Sequence, residues 1–302
     1  MIRMRRVPAT AVSAVLVATL ATACSGRGGQ PAPAPTSAGS CHAGVSGAEN
    51  WIMGSGELSA AQAAGASSVR YAVGSAHLFV LLLRGQTSRA GQEVADFRSY
   101  AELKKMIRQG TIAPGIRWVM YDNEQWSLTP ADEQADPVHY EQLFARLAHR
   151  QGYKVILAPA QDLVPGFDKN SFRAGQAVWP SYLSMGLAAA SARAADIYEI
   201  QAQPYEMSVY RSRHAYADFV AAAAAQARAA NPGIVIYAGL STQRVSSAAQ
   251  LLQDYETTRN LVDGYWLNIP RHDQPGPPGL ADQFLRTIPA SASASAATCA
   301  GA

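Results

Sequence analysis

Two carboxylates one residue apart, Asp122 and Glu124 in the stretch WVMYDNEQW at 118–126, are the residues of this chain best suited to do chemistry. If the apolar run Trp118-Val119-Met120 is a strand, alternate side chains share a face and both acids project the same way. Crowding and partial burial then raise one pKa, so that one carboxyl keeps a proton to donate while the other stays ionised. Hydrolysis of a glycosidic bond uses carboxylates in these two states. The competing reading of the same spacing is a helix cap or a rim of ion pairs with arginine.

A second polar line lies downstream in IYEIQAQPYE. Glu199, Gln201 and Gln203 alternate there, so one face of the run is polar where the filling of a barrel is normally apolar. An interior that binds something polar would account for it. Glu206 follows directly and could face Glu124 as a nucleophile or base. Tyr205, Trp126, Trp266 and Asn268 complete the candidate set. A tryptophan face suits the apolar face of a sugar ring, although core packing explains Tyr205 and both tryptophans as well.

These residues must be held by strands. Short β-rich runs alternate with helical ones, as in an α/β protein with a parallel sheet. The strands read HLFVLLLRG, IRWVMYDNE, KVILAPA, IYEIQAQ, IVIYAG and GYWLNIP, and the earlier runs NWIMGSG and SSVRYAVGS supply two more. Helices are expected over SYAELKKMIRQG, PVHYEQLFARLAHRQG, about 179–195, HAYADFVAAAAAQARAANPG and SAAQLLQDYETTRN. Eight such units in roughly 260 residues suit a (β/α)8 TIM barrel, whose functional residues gather at the C-terminal ends of the strands. The acids of YDNE and the polar run of IYEIQAQ fall at such ends.

The N-terminus is a targeting segment rather than part of the fold. MIRMRR is its charged region, VPATAVSAVLVATLATA its apolar region, and Cys24 follows at once. LATAC resembles a bacterial lipoprotein signal, which implies lipidation at Cys24 and export to the outer face of the cell membrane; the competing reading is an ordinary secretory signal or a membrane anchor, and it exports the chain as well. Positions 1–23 are thus expected to be the signal peptide, 24–40 a flexible linker rich in Gly, Pro, Ala and Ser, and 41–302 the barrel domain. Cys41 and Cys299 bracket that domain, and an exported chain meets an oxidising environment, so a Cys41–Cys299 disulfide is expected, with two free thiols as the alternative. Closing so long a loop contributes about 4–5 kcal/mol in the chain-entropy treatment.

The 302 residues carry 25 basic and 22 acidic side chains, and Arg3, Arg5, Arg6 and Arg27 all lie near the N-terminus, which leaves the body close to neutral. There is no basic stripe for nucleic acid. No two of the six histidines have metal-ligand spacing, so no metal is expected. No Gly-rich phosphate loop follows a strand, and no cofactor is expected. Ser241 in AGLST lacks the glycines of a nucleophile elbow. A monomer acting on a carbohydrate or other polar small molecule is the expected form.

The order of strand-end parts resembles glycoside hydrolase family 18, the chitinase-like barrels. Asp122 and Glu124 match the last two acids of the family's Asp-x-Asp-x-Glu on the fourth strand, with Met120 in place of the first. KVILAPAQ, IQAQPYE, AGLS and GYWLN resemble its fifth to eighth strands in turn, over about 75–270. The resemblance implies that Glu124 protonates the leaving oxygen while the 2-acetamido group of an N-acetylated amino sugar attacks. Asp122 would orient that group, Tyr205 or Gln203 would hold its carbonyl, and Trp266 would floor the sugar. The missing acid at Met120 favours an alternative, a non-catalytic glycan or small-ligand binding lipoprotein using Trp126, Trp266 and Gln203. A lyase or transferase on the same barrel is the third reading.

Overall fold

The computed structural model describes residues 50–72, 78–82, 88, 90–274 and 276–288. Eight parallel strands pair in chain order: β1 (Asn50–Gly54), β2 (Leu78–Leu82), β3 (Gln92–Phe97), β4 (Trp118–Tyr121), β5 (Lys154–Leu157), β6 (Ile197–Ile200), β7 (Val235–Ser241) and β8 (Gly264–Asn268). β8 pairs with β1 in the register Trp51 to Tyr265, closing the sheet. This is a (β/α)8 TIM barrel.

Seven of the expected strands are in place and one is not. SSVRYA, read as strand, is the end of helix α1 (Ser55–Ala72), while the strand in its stead is QEVADF, β3. Local composition hides β3, because its inward residues run from Val94 to the acid Asp96. Pairing with β2 on one side and β4 on the other makes it a strand. The expected helices recur as α2 (Tyr100–Gln109), α4 (Pro137–Arg150), α9 (Ala215–Ala230) and α10 (Ala248–Thr258). The long one expected at 179–195 is two, α6 (Trp179–Ser184) and α7 (Leu187–Ala194), broken at Gly186 with φ +71°. Glycine reaches that left-handed backbone without a Cβ penalty. The remaining helices are α3 (Ala131–Ala135), α5 (Lys169–Arg173), α8 (Ser208–Arg211) and α11 (Gly276–Thr287). The expected signal peptide and linker, the expected lipidation site Cys24, and Cys41 and Cys299 of the expected disulfide lie outside the described residues.

Alternation along the strands divides the barrel into a dry lower part and a polar mouth. Ile52, Phe79, Leu81, Val94, Met120, Ile156, Ile197 and Tyr237 fill the interior. One or two steps further on, the same faces carry Asp96 on β3, Asp122 after β4, Glu199 and Gln201 at β6, and Asn268 on β8. β4 is pinned from outside as well. The Tyr121 hydroxyl donates to Glu133 Oε2 at 2.7 Å, and Glu133 also accepts from the backbone N–H groups of Tyr100 (2.7 Å) and Ala101 (3.0 Å) at the start of α2. The Tyr121 ring stacks on Phe144 of α4 at 4.7 Å between centroids. These contacts fix the strand whose end carries both acids.

Candidate functional site

A cavity of about 500 Å³ opens at the C-terminal mouth of the barrel. Glu124, Gln201, Gln203, Trp266 and Asn268 line it, together with residues of the long segment after β5 and the loop after β7. Glu124 is half-buried, and its pKa is pushed up to about 7, by burial first and then by the neighbouring Asp162 carboxylate. Arg98 and Arg244 act in the opposite sense. Near neutral pH the group is therefore shared between its two forms, as a general acid requires.

Asp122 does not share the cavity with it. Only 3% exposed, Asp122 accepts from Gln201 Nε2 at 2.8 Å, and its second oxygen lies 3.4 Å from Arg98 Nε. Burial, then Glu124 and Asp96, raise its pKa well above the usual carboxylate range. The expectation that both acids project into one wet space is thus corrected. The chain leaves the strand after Tyr121, so Asp122 turns beneath the mouth while Glu124 reaches it.

Three further expectations are corrected by where the side chains go. The Tyr205 hydroxyl accepts from the backbone N–H groups of Val178 (3.2 Å) and Trp179 (3.0 Å), and its ring is packed among Phe172, Tyr210 and Phe219. It cannot hold a ligand carbonyl from there. Glu206 is fully buried and accepts the Ser241 backbone N–H with both oxygens, at 3.1 and 3.0 Å, so it ties the turn after β6 to β7 and does not face Glu124. Trp126 donates from Nε1 to Thr129 at 2.8 Å, and the Arg98 guanidinium lies over its ring at 5.4 Å, so that face is taken.

Gln201, Gln203, Trp266 and Asn268 line the cavity. Gln201 Nε2 also donates to the Ala158 carbonyl at 2.7 Å, which fixes the amide. Gln203 lies over Gly239 of β7, where any Cβ would overlap its amide. Trp266 is 8% exposed and serves both the interior cluster and the cavity floor.

Several residues of the site escaped the sequence reading. Asp162 lines the cavity beside Glu124, and its Oδ1 accepts the Gln125 backbone N–H at 2.9 Å. It follows KVILAPA, the end of a strand, which is the signal that could have found it. Arg98 bonds Asp96 beneath the mouth, and both were hidden with β3. Glu199 is fully buried with neither carboxyl oxygen hydrogen-bonded, and burial, followed by Asp122 and Glu124, raises its pKa well above the usual carboxylate range. Among the described residues, no three His, Cys, Asp or Glu side chains are grouped to hold a metal.

No family model matches this chain, and no curated protein matches it in sequence. Solved structures similar to it include a Schiff base forming fructose-1,6-bisphosphate aldolase, at 10% identity and TM-score 0.44, covering 79% of this chain and 92% of that one. An archaeal fructose-1,6-bisphosphate aldolase is similar at 9% identity and TM-score 0.44, over 79% and 93% of the two chains. A citrate lyase from Burkholderia xenovorans LB400 is similar at 12% identity and TM-score 0.41, over 78% and 76%. None of these is a chitinase-like hydrolase, and no chemistry carries over at such distances.

Proposed function

We propose that this chain is an exported lipoprotein, anchored through Cys24 at the outer face of the membrane, whose barrel hydrolyses glycosidic bonds of an N-acetylated amino-sugar polymer. One observation carries the reading: Glu124, a carboxyl with a pKa of about 7, opens onto a polar cavity that is also lined by Asp162, five glutamines and Trp266. In this reaction Glu124 gives its proton to the leaving glycosidic oxygen while the acetamido oxygen of the same sugar attacks the anomeric carbon; water, losing a proton to Glu124, then opens the cyclic intermediate. Asp162 keeps that proton on Glu124 beforehand and bears negative charge towards the cation developing at the anomeric carbon. Gln203 holds the acetamido carbonyl, the role Tyr205 cannot take, and Trp266 supports the ring. Asp122 acts from below, fixing Gln201.

The withdrawal of Asp122 from the cavity supports the alternative, a non-catalytic glycan or small-ligand binding lipoprotein. Fluorogenic N-acetylglucosamine oligomers and their deacetylated analogues, offered to the wild type and to Glu124→Gln, separate the two. Release that vanishes in the variant supports hydrolysis. Binding that survives the substitution, with release from neither protein, supports the binding module.

A further inference from the structure

The charged groups around the cavity are unequally committed. Asp168 caps α5, accepting from the backbone N–H groups of Asn170 (3.0 Å) and Ser171 (3.2 Å) and from the Ser171 hydroxyl (2.6 Å). Asp162 accepts the Gln125 N–H and lies within the field of Lys169. Deeper in the fold, Arg98 and Arg211 sit on Asp96 and Asp254. Two arginines that line the cavity have no such partner. The guanidinium of Arg173, at the end of α5, makes no hydrogen bond or ion pair with any described residue. That of Arg244, in the loop after β7, has only the Met207 sulfur, 3.9 Å from Nη1 and a weak acceptor.

A guanidinium is a planar fork of donors that fits a carboxylate or phosphate with two parallel bonds. We propose that the cavity selects a glycan bearing an anionic substituent, a carboxylate on or beside the sugar that is cleaved, and that Arg173 and Arg244 bind it from the loops on either side of β6. This deepens the glycan reading and rests on it for the sugar, though the anion site itself is separable. Neither Asp162 nor Asp168 forms an ion pair with these arginines: Asp168 caps its own helix and Asp162 accepts the Gln125 N–H, which leaves both guanidinium forks open to a ligand.

Arg244 also links recognition to the acid. The groups acting on Glu124 are Asp162 and Asp96, which favour its protonated form, and Arg98 and Arg244, which favour the ionised one; Asp122 and Glu199 lie beneath. An anion seated on Arg244 offsets that positive charge, so Glu124 holds its proton more firmly when the acidic substrate is bound. A neutral glycan leaves the charge of Arg244 in place.

The test is calorimetric titration of the purified full chain with three probes. They are an N-acetylglucosamine tetramer, a tetramer of the same length in which alternate sugars carry a lactyl ether carboxylate, and inorganic phosphate. Each is run on the wild type, on Arg173→Gln with Arg244→Gln, and on Arg244→Glu. Both arginines are exposed, so the variants are expected to fold, and circular dichroism checks this. The acidic tetramer should bind about tenfold more tightly than the neutral one, an advantage lost in the arginine variants. Phosphate should bind the wild type and not the variants. Equal affinity for the two tetramers, or an advantage that persists without the arginines, overturns the proposal and leaves the glycan reading intact. Phosphate binding that needs the arginines, with neither tetramer bound, upholds the anion site and removes the glycan reading. Silence from all three probes overturns both. Carboxyl carbon NMR of Glu124 reads the coupling: its ionisation should move up with the acidic tetramer, and a fixed ionisation overturns that link.

Discussion

Gln201 Nε2 donates to Asp122 Oδ1 at 2.8 Å and to the Ala158 carbonyl at 2.7 Å, so one amide on the sixth strand end joins the ends of the fourth and fifth. The acid that looked catalytic is thereby a support. Glu124, two residues further from the strand, is left facing the cavity. The predictions below follow from that division of labour.

Glu124→Gln keeps the shape and removes the proton. Hydrolysis should fall by about 10²–10⁴. In the wild type, initial rates should decline as pH rises through about 7, because the donor must be protonated and its pKa is held there. Rates that are flat between pH 6 and 8 would exclude Glu124 as the acid.

Arg98 is the cation between Asp96 and Asp122. Arg98→Gln leaves two buried acids without it, and should cost about 3 kcal/mol at neutral pH. The loss should shrink towards pH 4, where the acids can take protons. Urea unfolding at the two pH values reads this, and the descending limb of the rate profile should move up, since Arg98 favours the ionised form of Glu124.

Glu199 is an unpartnered carboxyl inside the barrel, with its pKa raised well above the ordinary value. Its sign is that of a raised acid. The folded state keeps the proton, so the associated stability is complete below the unfolded pKa of about 4.3 and is lost as pH rises through the folded one. Glu199→Gln should flatten the decline of melting temperature between pH 5 and 9. A variant with the wild-type slope would place the titration elsewhere.

Gly239→Ala puts a methyl group into the space of the Gln203 amide. The amide is the far end of a flexible side chain and can swing aside, so the fold should survive while Gln203 leaves the cavity. Glycan affinity should weaken about tenfold with little change in melting temperature. Tyr205→Phe is the converse. It orphans two backbone N–H groups and should cost about 2 kcal/mol of stability without changing kcat.

Strand and helix were legible where local pattern decides them. Seven of eight strands, the parallel α/β order and the polar face of IYEIQAQ follow from alternation and turn residues, which depend on near neighbours in the chain. β3 was not legible, because Gln92–Phe97 is a strand by virtue of pairing on both edges. Asp96 and Arg98 were lost with it.

By itself the sequence determined that acids and amides cluster at strand ends, since a period of two sends Asp122 and Glu199 inward whatever surrounds them. Only the tertiary structure decided which of them meets the cavity. A backbone leaving its strand at Tyr121, a hydroxyl turned to the N–H groups of Val178 and Trp179, and Asp162 arriving beside Glu124 are matters of distance between remote segments, and no local spacing encodes them.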